Sequence, residues 1–379
     1  MRISHAGLDP FAFRTEVAAR IDKVVPHDTY WFPTVDPATL LVTGAVVRNI
    51  PEWAAPYFFE NEFLRPDYNK FTDLVADPSH VNSLFEATGG DLVRSERYRG
   101  LLADLGLGDD LRMALIDGSA CWGYLCFHRE RTSVGFSADD TSFLKPLVRH
   151  LASGLRTALL RGGVPEGNPG EPGVLLIADD LSIVGVDAAA HRWLDELEGG
   201  WSTDEGLPDS VCAAVARLWA IERSDAPEVL PPPSARARTR AGRWLTFRVS
   251  RLSGGPPGGR MAVVMEPGGT VDIAPLIVEA YGLSVREREV AMLVLHGYST
   301  KQISAQLHIS ENTVQDHMKA IFDKTGVRSR RDLVAQLSIR HYAPRDAFGS
   351  YSPRSRETFE THGAWYYDDT TPNDRIEPA

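Results

Sequence analysis

Only three cysteines occur in 379 residues, too few to staple an extracellular scaffold and in keeping with a reducing cytosol. No apolar run approaches the roughly 18 residues that a membrane-spanning helix needs. No basic and then apolar leader opens the sequence. A G-x-S-x-G elbow, an H-E-x-x-H helix, a Walker loop and a C-x-x-C pair are all missing. Acids outnumber bases, giving a net charge of −11, which excludes a protein that faces nucleic acid along its whole length. These absences lead us to expect a soluble, cytoplasmic protein that is not an enzyme. No motif calls for a metal or a cofactor.

What is present is unevenly spread. With 43 % hydrophobic residues the chain can bury two or three separate cores. Between 283 and 342, nine Arg/Lys stand against six Asp/Glu, a local +3 that leaves −14 for the remainder. A basic module on an acidic body is the pattern of a DNA binder joined to parts that do not touch DNA. The same split suggests that the acidic body covers the basic module when the protein is off.

Residues Leu283 to Leu337 read as four short amphipathic helices. Ser284 with Glu287 and Ser299 with Gln302 have the spacing of capping boxes. Gly297 and Gly326 stand where a left-handed residue ends a helix. His308-Ile309 leaves a very tight turn before Ser310, which caps the third helix. Val314, Met318, Ile321 and Phe322 form that helix's inward face, leaving positions 312, 315, 316 and 319 outward. Ser329 opens a fourth helix holding Leu333, Val334 and Leu337. Two helices joined this tightly form a helix-turn-helix, which offers one helix to the DNA major groove.

This segment resembles the LuxR-type (NarL/FixJ-like) DNA-binding domain of bacterial regulators. The residues behind the resemblance include Leu283, Arg286-Glu287, Glu289-Val290, Gly297, Lys301, Ile303, Leu307, Ile309-Ser310, Thr313-Val314, His317, Ile321, Lys324, Gly326-Val327, Arg330 and Leu333. It implies that Gln315, Asp316 and Lys319 read base edges, while Lys301, Ser310, Thr313, Lys324 and Arg328 hold phosphates. The chemistry suits these roles. Glutamine pairs with adenine, lysine with guanine, and an acid accepts from the cytosine amine. Hydroxyls and helix N-termini suit phosphates, which position a protein without reading sequence. Asp316 departs from the apolar or neutral residue usual there, so either it meets a cytosine or it is a solvated surface acid. We assign His317 to local packing or hydrogen bonding rather than to a base.

The chain before this segment divides at GGVPEGNPGEPG. The reading gives a first module over 1–161, a linker over 162–172, a second module over 173–268, a linker over 269–282, the DNA-binding domain over 283–342 and a disordered tail over 343–379. In the first module, a helix from Asp9-Pro10, strands TYWFPTV and LLVTGAVV, a hairpin turning at Asp117-Gly118 and one long helix over 138–160 form an α+β unit. Val35-Asp36-Pro37, Trp122-Gly123 and Ser137-Ala138-Asp139-Asp140 within that order are similar to GAF sensor domains. The second module, GVLLIADDLSIVGVDAAAHRWLDEL with the strands RWLTFRVSRL and RMAVVMEP, resembles a small α+β PAS domain, with Asp187 where Asn is common. Arg236, Arg238, Arg240 and Arg243 alternate into a strand and are read as a solvated face. Cys121 and Cys126, five apart on one strand, are expected on opposite faces as buried small hydrophobes.

The fold class expected is therefore multidomain: a GAF-like unit, a PAS-like unit and an all-α four-helix DNA-binding domain. Function follows as a transcriptional regulator binding two half-sites of double-stranded DNA as a homodimer, gated at the N-terminal modules by an unknown small-molecule ligand or by dimerisation, with RNA polymerase a further partner and no membrane. Three alternatives stay open: a thiol-active GAF protein, control by an acyl-homoserine lactone, and control by phosphorylation. A lactone pocket would directly precede the DNA module, and a receiver needs an acidic pair, a mid-sheet Asp and a late Lys that the first third lacks.

Overall fold

The computed structural model describes residues 8–161, 170–197, 201, 206–254 and 259–339. Helix α1 (Pro10–Ile21) opens on Asp9, whose side chain accepts the Ala12 N–H, with proline in the first turn where no hydrogen bond is lost. Strands β1 (Thr29–Val35) and β2 (Val42–Arg48) follow. Then come α2 (Ala54–Leu64), α3 (Phe71–Ala76), β3 (Val81–Ser83) and α4 (Leu84–Thr88). The long hairpin β4 (Leu107–Asp117) and β5 (Ala120–Glu130) completes an antiparallel sheet in the order β2-β1-β5-β4-β3.

Two helices, α5 (Ala138–Leu144) and α6 (Val148–Arg161), stand where the periodicity predicts one. Pro146 accounts for the break, since it lacks the N–H and its ring crowds the preceding turn. The break also resets the face, so Leu144 is buried and Phe143 is exposed. Helices α1 and α6 cover one side of the sheet, packing Phe13, Val17, Leu151 and Leu155 with Phe32, Leu125 and Phe127. A Cβ at Gly123 would lie 2.7 Å from the Pro33 carbonyl oxygen, and one at Gly154 would lie 2.3 Å from the Phe13 ring, so a side chain at either position would push these layers apart. Trp31, Phe59, Phe71 and Tyr124 fill the other side. Covered on both faces, β5 is buried almost throughout instead of alternating.

Two local details of the hairpin differ from the sequence reading. Asp117 pairs with Ala120, so the turn is Gly118-Ser119, one residue later than expected. Only Gly118 of the two has positive φ, as a type II′ turn requires. A bulge between Leu115 and Ile116, opposite Gly123 and Cys121, then shifts the register. Strict alternation is lost, and Cys121 and Cys126 pack in the same core with Trp31 and Tyr124.

The second unit comprises β6 (Gly173–Ala178), β7 (Ile183–Val186), α7 (Ala188–Glu196), α8 (Asp209–Arg223), β8 (Ser234–Arg238), β9 (Trp244–Leu252) and β10 (Arg260–Pro267). Its sheet, β7-β6-β10-β9-β8, repeats the relative strand order of the first. Asp187 caps α7 by accepting from Ala190 N–H and ties it to β6 through Val174 N–H. Helix α8 and strand β8 have no counterpart in the sequence reading. Held between α2 and β2 on one side and β9 on the other, α8 is buried without a gap from Ser210 to Leu218. That removes the polar stripe by which a helix is recognised.

The arginines are a correction: Arg236, Arg238 and Arg243 are half-buried rather than part of a solvated face, and of the four Arg240 alone is exposed. Arg236 ion-pairs with Asp36 of the first unit, and Arg238 donates to the Leu159 carbonyl at the end of α6. Arg240 donates to the Asp195 carbonyl, and Arg243 pairs with Glu196. A second correction concerns 269–282, which is not a slack linker. It holds α9 (Thr270–Ala280), whose Ile273, Leu276, Ile277 and Val278 are buried in one core with α6 and the C-terminal helices. Those helices are α10 (Val285–Leu295), α11 (Thr300–Leu307), α12 (Glu311–Thr325) and α13 (Arg330–Val334). Residues 162–169 of the first linker and the tail from 343, read above as disordered, lie outside the described residues. No helix among the described residues is long and apolar enough to cross a membrane.

Candidate nucleic-acid interface

Each of the four C-terminal helices starts on a serine. Ser284 accepts from Glu287 N–H while Glu287 accepts from Ser284 N–H, and Ser299 and Gln302 do the same. Ser310 accepts from Thr313 N–H, and Ser329 from Asp332 N–H. His308 ends α11 in the left-handed region at φ 53°, a costly place for a side chain. The corner is held by Ser304, whose hydroxyl donates to the Ile309 carbonyl, and by Arg286, which donates to the Leu307 carbonyl. This pins the angle between α11 and α12.

Helix α12 buries Val314, Met318, Ile321 and Thr325 and leaves Asn312, Gln315, Asp316 and Lys319 exposed. Gln315, Asp316 and Lys319 are thus brought together on one solvent-facing strip. Lys301 is exposed in the first turn of α11, Ser310 and Thr313 share a 2.8 Å hydroxyl contact at the start of α12, and Arg328 is exposed just beyond its end. Lys324 is already engaged: its ammonium donates to Glu287 at 2.6 Å, leaving its other two N–H donors for a further partner. Burial works against the Glu287 carboxylate, but Lys324 and the Ser284 backbone N–H outweigh it and hold its pKa below the ordinary glutamate range. His317 is half-buried, with no hydrogen-bond partner among the described residues. Among the described residues, none covers this strip.

The domain is fixed to the body at positions the sequence reading did not single out. Arg156 of α6 donates to the Ala280 carbonyl, at the C-terminus of α9, at 2.9 Å, and ion-pairs at 3.0 Å with Asp117 at the hairpin tip. Arg288 of α10 pairs with Glu279 of α9 at 2.5 Å, and Gln336 donates to the Tyr281 hydroxyl. No local pattern marks these partners, since the arginines lie 124 and 9 residues from the groups they hold.

A capped, tightly cornered pair of helices with an exposed polar strip defines a helix-turn-helix DNA-binding protein. Residues 282–337 match the family model "Bacterial regulatory proteins, luxR family". Spore germination protein GerE of Bacillus subtilis (strain 168) is 42 % identical over 55 residues, which are 14 % of this chain and 74 % of GerE. The probable transcriptional regulatory protein SgaR of Hyphomicrobium methylovorum is 43 % identical over 53 residues, 14 % of this chain and 25 % of SgaR. This chain belongs to the LuxR family of bacterial regulatory proteins.

Among solved structures, a GAF domain/HD domain protein from Geobacter sulfurreducens overlaps 42 % of this chain and 99 % of its own, at 18 % identity and TM-score 0.31. SdiA of Escherichia coli overlaps 85 % and 87 %, at 14 % identity and TM-score 0.28. Overlaps at this level do not define a fold.

Proposed function

We propose that this protein is a signal-gated transcriptional regulator that binds DNA as a homodimer. The observation that carries this reading is the strip Gln315, Asp316 and Lys319, presented outward on the second helix of a LuxR-family helix-turn-helix. In this reading those three side chains enter the major groove, and Lys301, Ser310, Thr313, Lys324 and Arg328 contact the flanking phosphates. Two copies place their recognition helices on half-sites about 10 bp apart. The units over 1–161 and 173–268 act as GAF-like and PAS-like sensors in the cytoplasm, and RNA polymerase is the partner through which transcription changes. A signal can act only by binding two arrangements of the body with different affinity.

The alternative of a thiol-active protein is disfavoured by the cysteines. Burial pushes the Cys121 thiol up to about 12 and Cys126 higher still, so neither supplies a thiolate at neutral pH. Genome-wide mapping of DNA bound by the full chain tests the main proposal. It should return sites built of two related half-sites. Recovery of DNA with no shared sequence would overturn it.

A further inference from the structure

A cavity of about 360 Å³ opens at one side of the first sheet, within the range of small-molecule sites. Trp31, Phe58 and Phe59 form an aromatic wall, with ring centroids 4.9–6.0 Å apart from Trp31. Arg97 and His128 line one part, and Asp209, the first residue of α8, lines another.

The two parts differ in how their charges are matched. Arg97 donates to Asp110 and the Tyr68 carbonyl, and Arg112 donates to Asp110 and Glu62, so this buried network carries its own counter-charges. Asp110, Cys126 and His128 lie close enough to suggest a metal site, but the two guanidiniums already hold Asp110 and would repel a cation. Asp209 is different. Its Oδ2 accepts from Trp31 Nε1 at 2.7 Å, and Oδ1 has no donor among the described residues. The charged group that acts on it is another acid, Glu52, exposed on the cavity rim. Burial and then Glu52 push the Asp209 carboxyl above its ordinary range, against the pull of the Trp31 hydrogen bond. Among the described residues, the Asp209 end of the cavity therefore lacks a cation of its own.

We propose that this cavity binds a small organic ammonium compound, its charged nitrogen donating to Asp209 beside the aromatic wall and its apolar body filling the rest. The aromatic faces add a cation–π attraction, and an ammonium supplies the counter-charge that Asp209 lacks. Because Asp209 begins the helix wedged between both sheets, occupancy acts on the element that joins them. The role of this compound as a signal rests on the gating reading above, whereas its binding does not.

The test is calorimetric titration of the full chain with a series of ω-phenylalkylamines of three to six carbons and with the matching alcohols and carboxylates. The amines should bind best, with alcohols and carboxylates at least tenfold weaker. Asp209→Asn should weaken amine binding at least tenfold, and Val47→Trp at the exposed rim should block entry without touching the core. Thermal melting checks that both variants fold. Absence of amine binding, equal binding of all three head groups, or full binding by Asp209→Asn would overturn the proposal. A parallel DNA titration separates the two readings: amine bound through Asp209 with DNA affinity unchanged keeps the site and removes the gating.

Discussion

Arg236 grips Asp36 from 200 residues away, with Nη2 at 2.5 Å from one carboxylate oxygen and Nε at 2.8 Å from the other. Its backbone N–H adds a third bond to the same carboxylate, and its Nη1 donates to the Asp272 carbonyl in α9. One side chain thus meets the first unit, the second unit and the helix leading to the DNA-binding domain. Asp36 is 2 % exposed, so Arg236→Ala strands a buried carboxylate and should cost about 3–5 kcal/mol. Urea unfolding of the full chain checks this. Asp36→Asn combined with Arg236→Met should recover much of the loss, and a cost below about 1 kcal/mol for Arg236→Ala would show that the pair is not buried in solution.

Arg156→Ala removes the bond to the end of α9 and the pair with Asp117. The expected outcome is a looser attachment of residues 283–339 with each unit still folded. Limited proteolysis should then cut near Tyr281-Gly282 several times faster than in the parent chain. Unchanged cleavage would mean that apolar packing of α9 alone holds the domain.

For DNA reading, Lys319→Ala should cost about 1–3 kcal/mol and relax preference at one base pair. Lys324→Ala should weaken all sequences about equally and lower the salt slope by about one unit. It should also lower domain stability, because Glu287 loses its partner. Asp316→Ala separates two roles by binding-site selection: relaxed choice at one position marks a base contact, and uniformly tighter binding marks a repelling surface acid.

His128 sets a pH response. Burial, assisted by Arg112 and Arg97 and opposed by Asp110, lowers its pKa from 6.5 to about 4. The unfolded chain therefore takes up a proton in a range where the folded one does not. Stability from this group is complete above the ordinary histidine range, falls as pH drops toward about 4, and levels off below. Urea midpoints at pH 7 and pH 4.5 should differ less in His128→Asn than in the parent, and an identical difference would remove His128 from the response.

What could be read from the sequence follows the range of the interactions. Ser284 with Glu287, Ser299 with Gln302 and the stripe Val314, Met318, Ile321 act within a turn or two of helix, and all three stand in the structure as they read in the sequence. Pro146 was also local, yet the apolar spacing on either side concealed its break. Helix α8 is buried all round and so shows no stripe, and Arg236 shows an alternation whose meaning depends on Asp36. The parity of Cys121 and Cys126 turned on a single bulge at Leu115, which no spacing reveals. Asp209 carries no signal in the sequence, because its role depends on Trp31, 178 residues away.

Helix α9 has a mechanical consequence. A DNA-binding head on a slack tether can reach half-sites across many gaps, whereas one seated through Ile273, Leu276 and Ile277 carries the geometry of the body with it. In a paired molecule the body then behaves as a ruler. Inserting about five base pairs, half a turn of DNA, between half-sites should abolish paired binding, and a full turn of about ten should restore the phase but stretch the span. Under the gating proposed above, the N-terminal units would adjust the length of that ruler.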